Sequence, residues 1–354
     1  MTAGVPPDLR GRGHSDRVMR IVSAFADRWE SVAYQFGKGR ASIVPIDRAL
    51  PLVVTETSRE AVAEDVLSLS LSHVDGERLP GWHPGAHLDV LLPSGRMRQY
   101  SLNGDPTDRQ RYRIAVRAVP DGGGGSLEMH SLRPGDRVSA RWPRNAFPYV
   151  RQDAYLFIAG GIGITPILPM VRDAARRGVE YRIVYTGRNG SSLPFVPELR
   201  QIAGERLRVR TDDVYGLPSG AELVSELPVG AAVYCCGPSP MIAAIRAAVP
   251  TTVPMLSERF SPPPVIGGNP FRVTLARSGQ RVDVAADESA LAAIRRVVPN
   301  VMYSCQQGFC GTCRVRVLSG TVEHHHRSGI PEERCADYMN ICVSRATGDL
   351  TIDL

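Results

Sequence analysis

The sequence predicts a multidomain chain: an antiparallel β-barrel, then an α/β domain with a parallel sheet, then a compact cysteine-rich unit. Three observations lead there. From Leu52 to about Tyr149, short alternating segments are separated by turns. From Tyr155 onward, apolar strands alternate with helical stretches. Five of the seven cysteines fall between Phe271 and Leu354.

The barrel rests on period-two patterning. Val66–Leu71 alternates polar and apolar residues, and His87–Leu91 and Tyr112–Val116 read similarly. Pro84–Gly85, Ser94–Gly95 and Pro134–Gly135 punctuate them as turns, and short strands at this spacing suit a small barrel. The α/β domain rests on the strands Tyr155–Ala159, Tyr181–Tyr185, Leu207–Arg210 and Ala232–Cys235, with a helix expected from about Pro166 to Arg177. Such alternation implies a parallel sheet covered by helices. Ser261–Pro264 with Gly267–Gly268 reads as a linker. The expected divisions are an N-terminal extension at 1–47, the barrel at 48–150, the α/β domain at 151–262, the linker at 263–270 and the C-terminal unit at 271–354. In the extension, Arg17 to Phe36 has a helical rhythm with Ile21, Phe25, Trp29 and Phe36 near one face. That helix packs on a neighbouring domain or serves as a docking or subunit contact.

With 43% hydrophobic and 22% charged residues, the chain is a folded globular protein and not a disordered one. Its +6 formal charge is spread over 354 residues, so no nucleic-acid partner is expected. Ala154 to Val171 is uncharged, but Gly160, Gly161, Gly163, Pro166 and Pro169 interrupt it, so it reads as strand, glycine turn and helix, with no membrane span expected. Met1–Gly13 has no apolar core, so no secretory signal is expected and a cytoplasmic location is. An odd cysteine count then argues against a disulfide framework and for metal binding.

The strongest chemical signal is Cys305, Cys310 and Cys313, in the spacing C-x4-C-x2-C, followed 28 residues later (342 − 313 − 1) by Cys342. This is the ligand pattern of a plant-type [2Fe–2S] cluster. Three thiolates from one loop must curl around two irons, and Gly308 and Gly311 let the backbone approach and aim N–H groups at sulfur. Cys335 lies outside the pattern and reads as a small buried hydrophobe. His324–His326 reads as a solvated loop, because consecutive side chains on a strand alternate and cannot meet at one centre.

Two further turns carry glycines after apolar strands. In Ala159–Pro166, Gly160, Gly161 and Gly163 permit a tight turn, Thr165 can cap the next helix and Pro166 suits its first turn, so the helix start offers N–H groups to a phosphate. The turn is equally compatible with a purely structural role. Cys236–Gly237–Pro238 repeats the arrangement after Val233–Cys235.

The C-terminal unit resembles a plant-type ferredoxin over its whole length, which implies a β-grasp fold with Ala290–Val297 as its helix. The two glycine turns resemble the nicotinamide-binding domain of the ferredoxin-NADP reductase superfamily, which implies that Gly160, Gly161, Gly163, Thr165, Pro166, Gly237 and Pro238 bind nicotinamide and that Cys236 lies near its ring. Arg98–Gln99–Tyr100–Ser101 resembles that superfamily's R-x-Y-S flavin motif. The resemblance implies flavin contacts from Arg98, Tyr100, Ser101, Val116, Gly124, Gly125 and Ser126. Without it, the Gly122–Gly125 run would read as a flexible loop.

The order of these units, with Glu258–Arg259–Phe260 before the linker, resembles phthalate dioxygenase reductase and the vanillate demethylase reductases from about Leu52 to Leu354. The resemblance does not reach the first 47 residues. It implies FMN, with FAD the alternative. It implies NADH as donor from family habit, although Arg188, after the second strand, could hold the 2′-phosphate of NADPH. It implies Ser101, Cys236, Glu258 and Phe260 at the reacting centre. The implied enzyme is an NAD(P)H-dependent reductase, expected as a monomer, that passes single electrons to a Rieske-type oxygenase or demethylase. The runner-up partner is a haem-thiolate monooxygenase, and a third reading is an iron–sulfur redox sensor without turnover.

Overall fold

The described residues belong to one compact unit, Ile46–Leu354. The computed structural model describes residues 49–354 apart from 61, 62, 64, 121, 122, 300, 309 and 326–336. The helix expected at Arg17–Phe36, Gly122, His326 and Cys335 lie outside the described residues.

The first sheet contains β1 (Leu50–Arg59), β2 (Val66–His73), β3 (Ala86–Leu91), β4 (Met97–Ser101), β5 (Tyr112–Arg117), β6 (Arg137–Ala140) and β7 (Arg144–Asn145). Its order is β4-β3-β6-β1-β2-β5, with β7 paired to β3, and its pairings are antiparallel. A bridge between Leu102 and Ile114 joins the two ends, closing a barrel. Alternation along the strands sends Leu52, Val54, Leu69 and Leu71 into the core, where each is fully buried. Each such side chain contributes roughly 1.5–3 kcal/mol by leaving water. The short helix α1 (Gly125–Ser131) adds Met129 to the same core.

The second sheet contains β8 (Ala154–Gly160), β9 (Glu180–Gly187), β10 (Leu207–Thr211), β11 (Ala231–Cys236) and β12 (Met255–Glu258). It is parallel, in the order β10-β9-β8-β11-β12. Helices α2 (Ile164–Arg177), α3 (Val196–Ala203) and α4 (Ser239–Ala248) connect its strands. Alternate residues of β8 serve opposite cores: Tyr155 and Phe157 pack on one face, Leu156 and Ile158 on the other. The uncharged stretch at Ala154–Val171 thus splits into strand, turn and helix. No helix among the described residues is long and apolar enough to cross a membrane.

One local expectation changes. Thr165 does not cap α2: Gly163 occupies the N-cap without a side-chain cap bond, and Thr165, already inside the first turn, donates its hydroxyl to the Ile162 carbonyl at 3.0 Å. The short 3-10 turn Gly161–Gly163 before the helix displaces the start by two residues and takes over the capping geometry.

The third sheet contains β13 (Phe271–Leu275), β14 (Arg281–Val284), β15 (Arg314–Glu323), β16 (Tyr338–Asn340) and β17 (Arg345–Ile352), ordered β14-β13-β17-β15-β16. β13 and β17 are parallel and the other pairs antiparallel. The helix α5 (Ala290–Arg295) starts where Ser289 Oγ accepts the Ala292 N–H, and it buries Ala290, Leu291, Ala293 and Ile294 in the core beneath this sheet. A mixed sheet crossed by one helix is the β-grasp arrangement. The helix ends two residues earlier than expected, at Arg295. No strand or helix lies between Glu258 and Phe271.

Candidate active site

Nine of the expected site residues line one cavity of about 400 Å³ (Arg98, Tyr100, Ser101, Val116, Ser126, Thr165, Glu258, Phe260 and Cys305), whereas the glycines of the turns, Pro166, Arg188, Cys236, Pro238 and the other three cluster cysteines lie outside its lining. The barrel, the α/β part and the C-terminal part all contribute to it. The barrel supplies Arg98, Tyr100, Ser101, Val116 and Ser126; the α/β part supplies Thr165, Glu258 and Phe260; the C-terminal part supplies Cys305, Gln306 and Gln307.

On the barrel side, β4 pairs with β3 so that His87 faces Ser101 across the ladder. Burial pushes His87 down to about 4, with Asp89 opposing and Arg144 reinforcing, so its imidazole is neutral near pH 7. Burial likewise pushes the Tyr100 phenol up, keeping it protonated. Gly124 stands at the N-cap of α1 with φ 82°, a conformation suited to glycine. At Gly125 a Cβ would meet Arg98 Nε at 2.5 Å, so only glycine lets the arginine lie across the turn. Ser126 Oγ accepts the Val119 N–H at 3.0 Å and ties the loop to β5.

On the α/β side, the two glycine turns lie side by side because β8 and β11 are parallel neighbours. A Cβ on Gly163 would come within 2.3 Å of the Cys236 carbonyl oxygen, and one on Gly160 within 2.8 Å of Pro238 Cδ. A Cβ on Gly237 would meet Met241 Cε at 2.4 Å. The chain runs from β8 outward to β10, then crosses to β11, so these turns flank a topological switch point. Parallel sheets bind dinucleotides at the carboxyl ends of such strands.

Cys236 and Glu258 are register partners on β11 and β12. Cys236 is fully buried and outside the cavity lining, and burial pushes its thiol well up. Glu258 lines the cavity. Burial pushes its carboxyl up to about 8, and its Oε2 has no hydrogen-bond partner among the described residues. Phe260 is 46% exposed and stands at the cavity edge. Pro166 is buried in the first turn of α2. Arg188 lies apart from the cavity, exposed just after β9. Its carbonyl accepts the Asp213 N–H at 2.9 Å, which brings an acidic residue from the end of the neighbouring strand beside it.

The four cysteines come together as two pairs. The thiols of Cys305 and Cys310 lie close enough to interact, as do those of Cys313 and Cys342, and Cys305 also lies near Cys342. The Gln307 N–H donates to Cys305 Sγ at 3.3 Å and the Thr312 N–H to Cys310 Sγ at 3.5 Å. The loop achieves this through left-handed backbone at Gln306, Gly308 and Gly311. Among the described residues no three metal-ligating side chains surround a single ion. Two sulfur pairs match a two-iron cluster, whose ligands are divided between two centres, better than they match one ion.

Sequence reasoning missed His87, Arg117, Ile162, Tyr303, Ser304, Gln306 and Gln307, all lining the cavity. The position of Tyr303 and Ser304 next to Cys305 was the available signal. Ser304 Oγ donates to the buried Asp89 carboxylate at 3.2 Å, joining the cluster segment to the barrel.

Residues 273–347 match the 2Fe-2S iron-sulfur cluster binding domain family. A reductase subunit of a toluene-4-sulfonate monooxygenase system from Comamonas testosteroni is 38% identical over 312 residues, covering 85% of this chain and 98% of that protein. Phthalate dioxygenase reductase from Burkholderia cepacia is 34% identical over 309 residues, covering 84% and 95%. A solved phthalate dioxygenase reductase, described as modular for electron transfer from pyridine nucleotides to [2Fe-2S], superposes with a TM-score of 0.64 at 31% identity, covering 87% of this chain and 98% of that one. The full-length cytochrome P450 CYP116B46 from Tepidiphilus thermophilus gives a TM-score of 0.63 at 35% identity, covering 93% of this chain but 45% of that one. The shared cavity, the paired cysteines and these likenesses along most of its length place the chain in the phthalate dioxygenase reductase family, the reductase components of oxygenase and demethylase systems.

Proposed function

We propose that this protein takes hydride from NADH and delivers single electrons to a Rieske-type oxygenase or demethylase, through FMN and a [2Fe–2S] cluster held as the sequence divisions suggest. One observation carries the reading: the cavity is walled by the flavin motif, by Ile162 and Thr165 of the first glycine turn, by Glu258–Phe260 and by the cluster loop together.

The residues fit both groups. About 400 Å³ lies in the range of cofactor sites and suits a flavin mononucleotide. Four thiols in two pairs, with N–H groups aimed at sulfur, suit the cluster. When bound, a flavin accepts two electrons from a nicotinamide and releases them singly to an iron–sulfur cluster.

The chain's own residues organise that exchange. Arg98 and the Gly124–Ser126 turn would hold the flavin phosphate, while Val116 and Tyr100 would offer surface to the ring. Ser101 supplies a hydroxyl at the ring edge. Glu258 keeps a proton beside the reacting edge at neutral pH, because burial raises its carboxyl. Gly160, Gly161, Gly163, Gly237 and Pro238 let the two turns pack closely at the strand ends, where a nicotinamide dinucleotide would bind. Thr165 and Pro166 lie in the first turn of α2, and buried Cys236 pairs with Glu258 on the neighbouring strand. Phe260, half-exposed at the cavity edge, would shield the ring from solvent. Cys305, on the cavity wall, would connect the flavin site to the cluster.

Anaerobic NADH titration of the purified protein tests this. Visible bleaching should accompany one FMN and two irons per chain, and the reduced protein should reoxidise on adding an oxygenase component. Intact cofactors with no bleaching would favour the sensor, and FAD in the extract would overturn the FMN assignment. A haem-thiolate partner is the second reading, favoured by the P450 alignment covering 93% of this chain against 87% for the separate reductase. Turnover with each partner class separates the two, and light scattering checks the monomer.

A further inference from the structure

The glycine turn before α1 is ringed by arginines from two parts of the chain. Arg96 and Arg98 come from the β3–β4 hairpin, whereas Arg295 ends α5 in the C-terminal part. A Cβ on Gly123 would meet Arg295 Nη2 at 2.2 Å and the Tyr303 hydroxyl at 3.1 Å. One on Gly124 would meet Arg96 Cζ at 3.7 Å. The Tyr303 ring packs against both Arg98 and Arg295, with guanidinium carbons 4.3 and 4.6 Å from its centroid.

Arg98 is held by three bonds. Its Nη2 donates to the Tyr303 hydroxyl at 2.6 Å and to the Gly123 carbonyl at 3.3 Å, and its Nη1 donates to the Met97 carbonyl at 2.8 Å. These fix the guanidinium plane and turn its Nε edge toward Gly125. Having accepted from Arg98, the phenol still has its own hydrogen to donate.

Three guanidinium groups around one turn repel one another, and the repulsion grows where water is excluded. Glu128 offsets Arg96 at 3.5 Å. Arg295 differs: its buried Nε has no hydrogen-bond partner among the described residues. A dianion entering the turn would relieve both deficits, and a phosphate monoester is such an anion.

We propose that Arg295 and Tyr303 complete the phosphate subsite of the flavin, so that the C-terminal part supplies a share of the flavin site. This rests on the reading in which Arg98 and the glycine turn hold that phosphate. Arg295 contributes charge. Tyr303 is a positioning residue that holds the Arg98 plane. By linkage, flavin retention and docking of the cluster-bearing part strengthen each other.

The test uses the full chain with its cluster intact and its flavin removed. It is titrated with FMN and, separately, with riboflavin, which has the ring but no phosphate. Arg295→Ala and Tyr303→Phe should each weaken FMN by about tenfold, as expected for losing a bond to a charged group, and leave riboflavin within about twofold. The visible circular dichroism of the cluster should stay unchanged. Arg98→Ala tests the underlying reading. If Arg98→Ala spares FMN, the phosphate assignment fails and the proposal falls with it. If Arg98→Ala weakens FMN while the other two variants do not, or if they weaken riboflavin equally, the assignment stands and the proposal is overturned.

Discussion

The Gln307 side-chain amide donates a 2.5 Å hydrogen bond to the Arg259 carbonyl. The loop carrying Cys305 and Cys310 is thereby tied to the segment that presents Phe260 to the cavity. The two residues are 48 positions apart, so the bond exists only because the C-terminal part folds back onto the end of β12.

Gln307→Ala should loosen that tie. A neutral hydrogen bond contributes about 0.5–1.5 kcal/mol, so the docked loop should lose up to about tenfold in relative population. Flavin bleaching by NADH should keep its rate, while the slower cluster phase falls. Two-wavelength stopped flow checks this; equal slowing of both phases would place Gln307 on the nicotinamide side.

Glu258 predicts a pH dependence. Its folded pKa, about 8, lies above the ordinary 4.5. Between those values the folded state binds more protons than the unfolded state, so stability falls as pH rises from about 4.5 through 8. Glu258→Gln should flatten that part of the Tm-versus-pH curve. The rate of flavin reduction in wild type should also drop as pH passes 8, and the variant should lose that inflection. An unchanged Tm profile in the variant would show that Glu258 ionises normally.

Cys310→Ser replaces a thiolate with a harder oxygen ligand and should damage the cluster. Flavin reduction should persist, since it occurs upstream. Cytochrome c reduction should fall at least about tenfold. Loss of flavin reduction as well would contradict the order of carriers.

Arg188 decides between donors. If wild type already prefers NADH, Arg188→Ala should change both donors little. A wild-type preference for NADPH that collapses in the variant, by roughly 1.5–3 kcal/mol for a charge-assisted contact, would reverse the assignment. The Asp213 N–H donates to the Arg188 carbonyl, so an acidic residue shares this turn with Arg188. Stopped-flow flavin reduction with each donor reads the outcome.

Local patterns in the sequence determined the strand and helix alternation, the two glycine turns and the four cysteines. Each depends on side-chain periodicity, on backbone freedom at glycine, or on ligands carried mainly by one loop, and such information is contiguous along the chain. The limits of α2 and α5 shifted because cap geometry at Gly163 and packing after Arg295 decide helix ends, and periodicity does not report them. Tertiary structure alone decided who shares the cavity. Arg98 meets Tyr303 across 205 residues, and Asp89 meets Ser304 across 215. Asp213 reaches Arg188 only because β9 and β10 lie parallel and end together. These contacts come from packing three separately patterned sheets, and no local property of a residue encodes which distant neighbour its side chain will find.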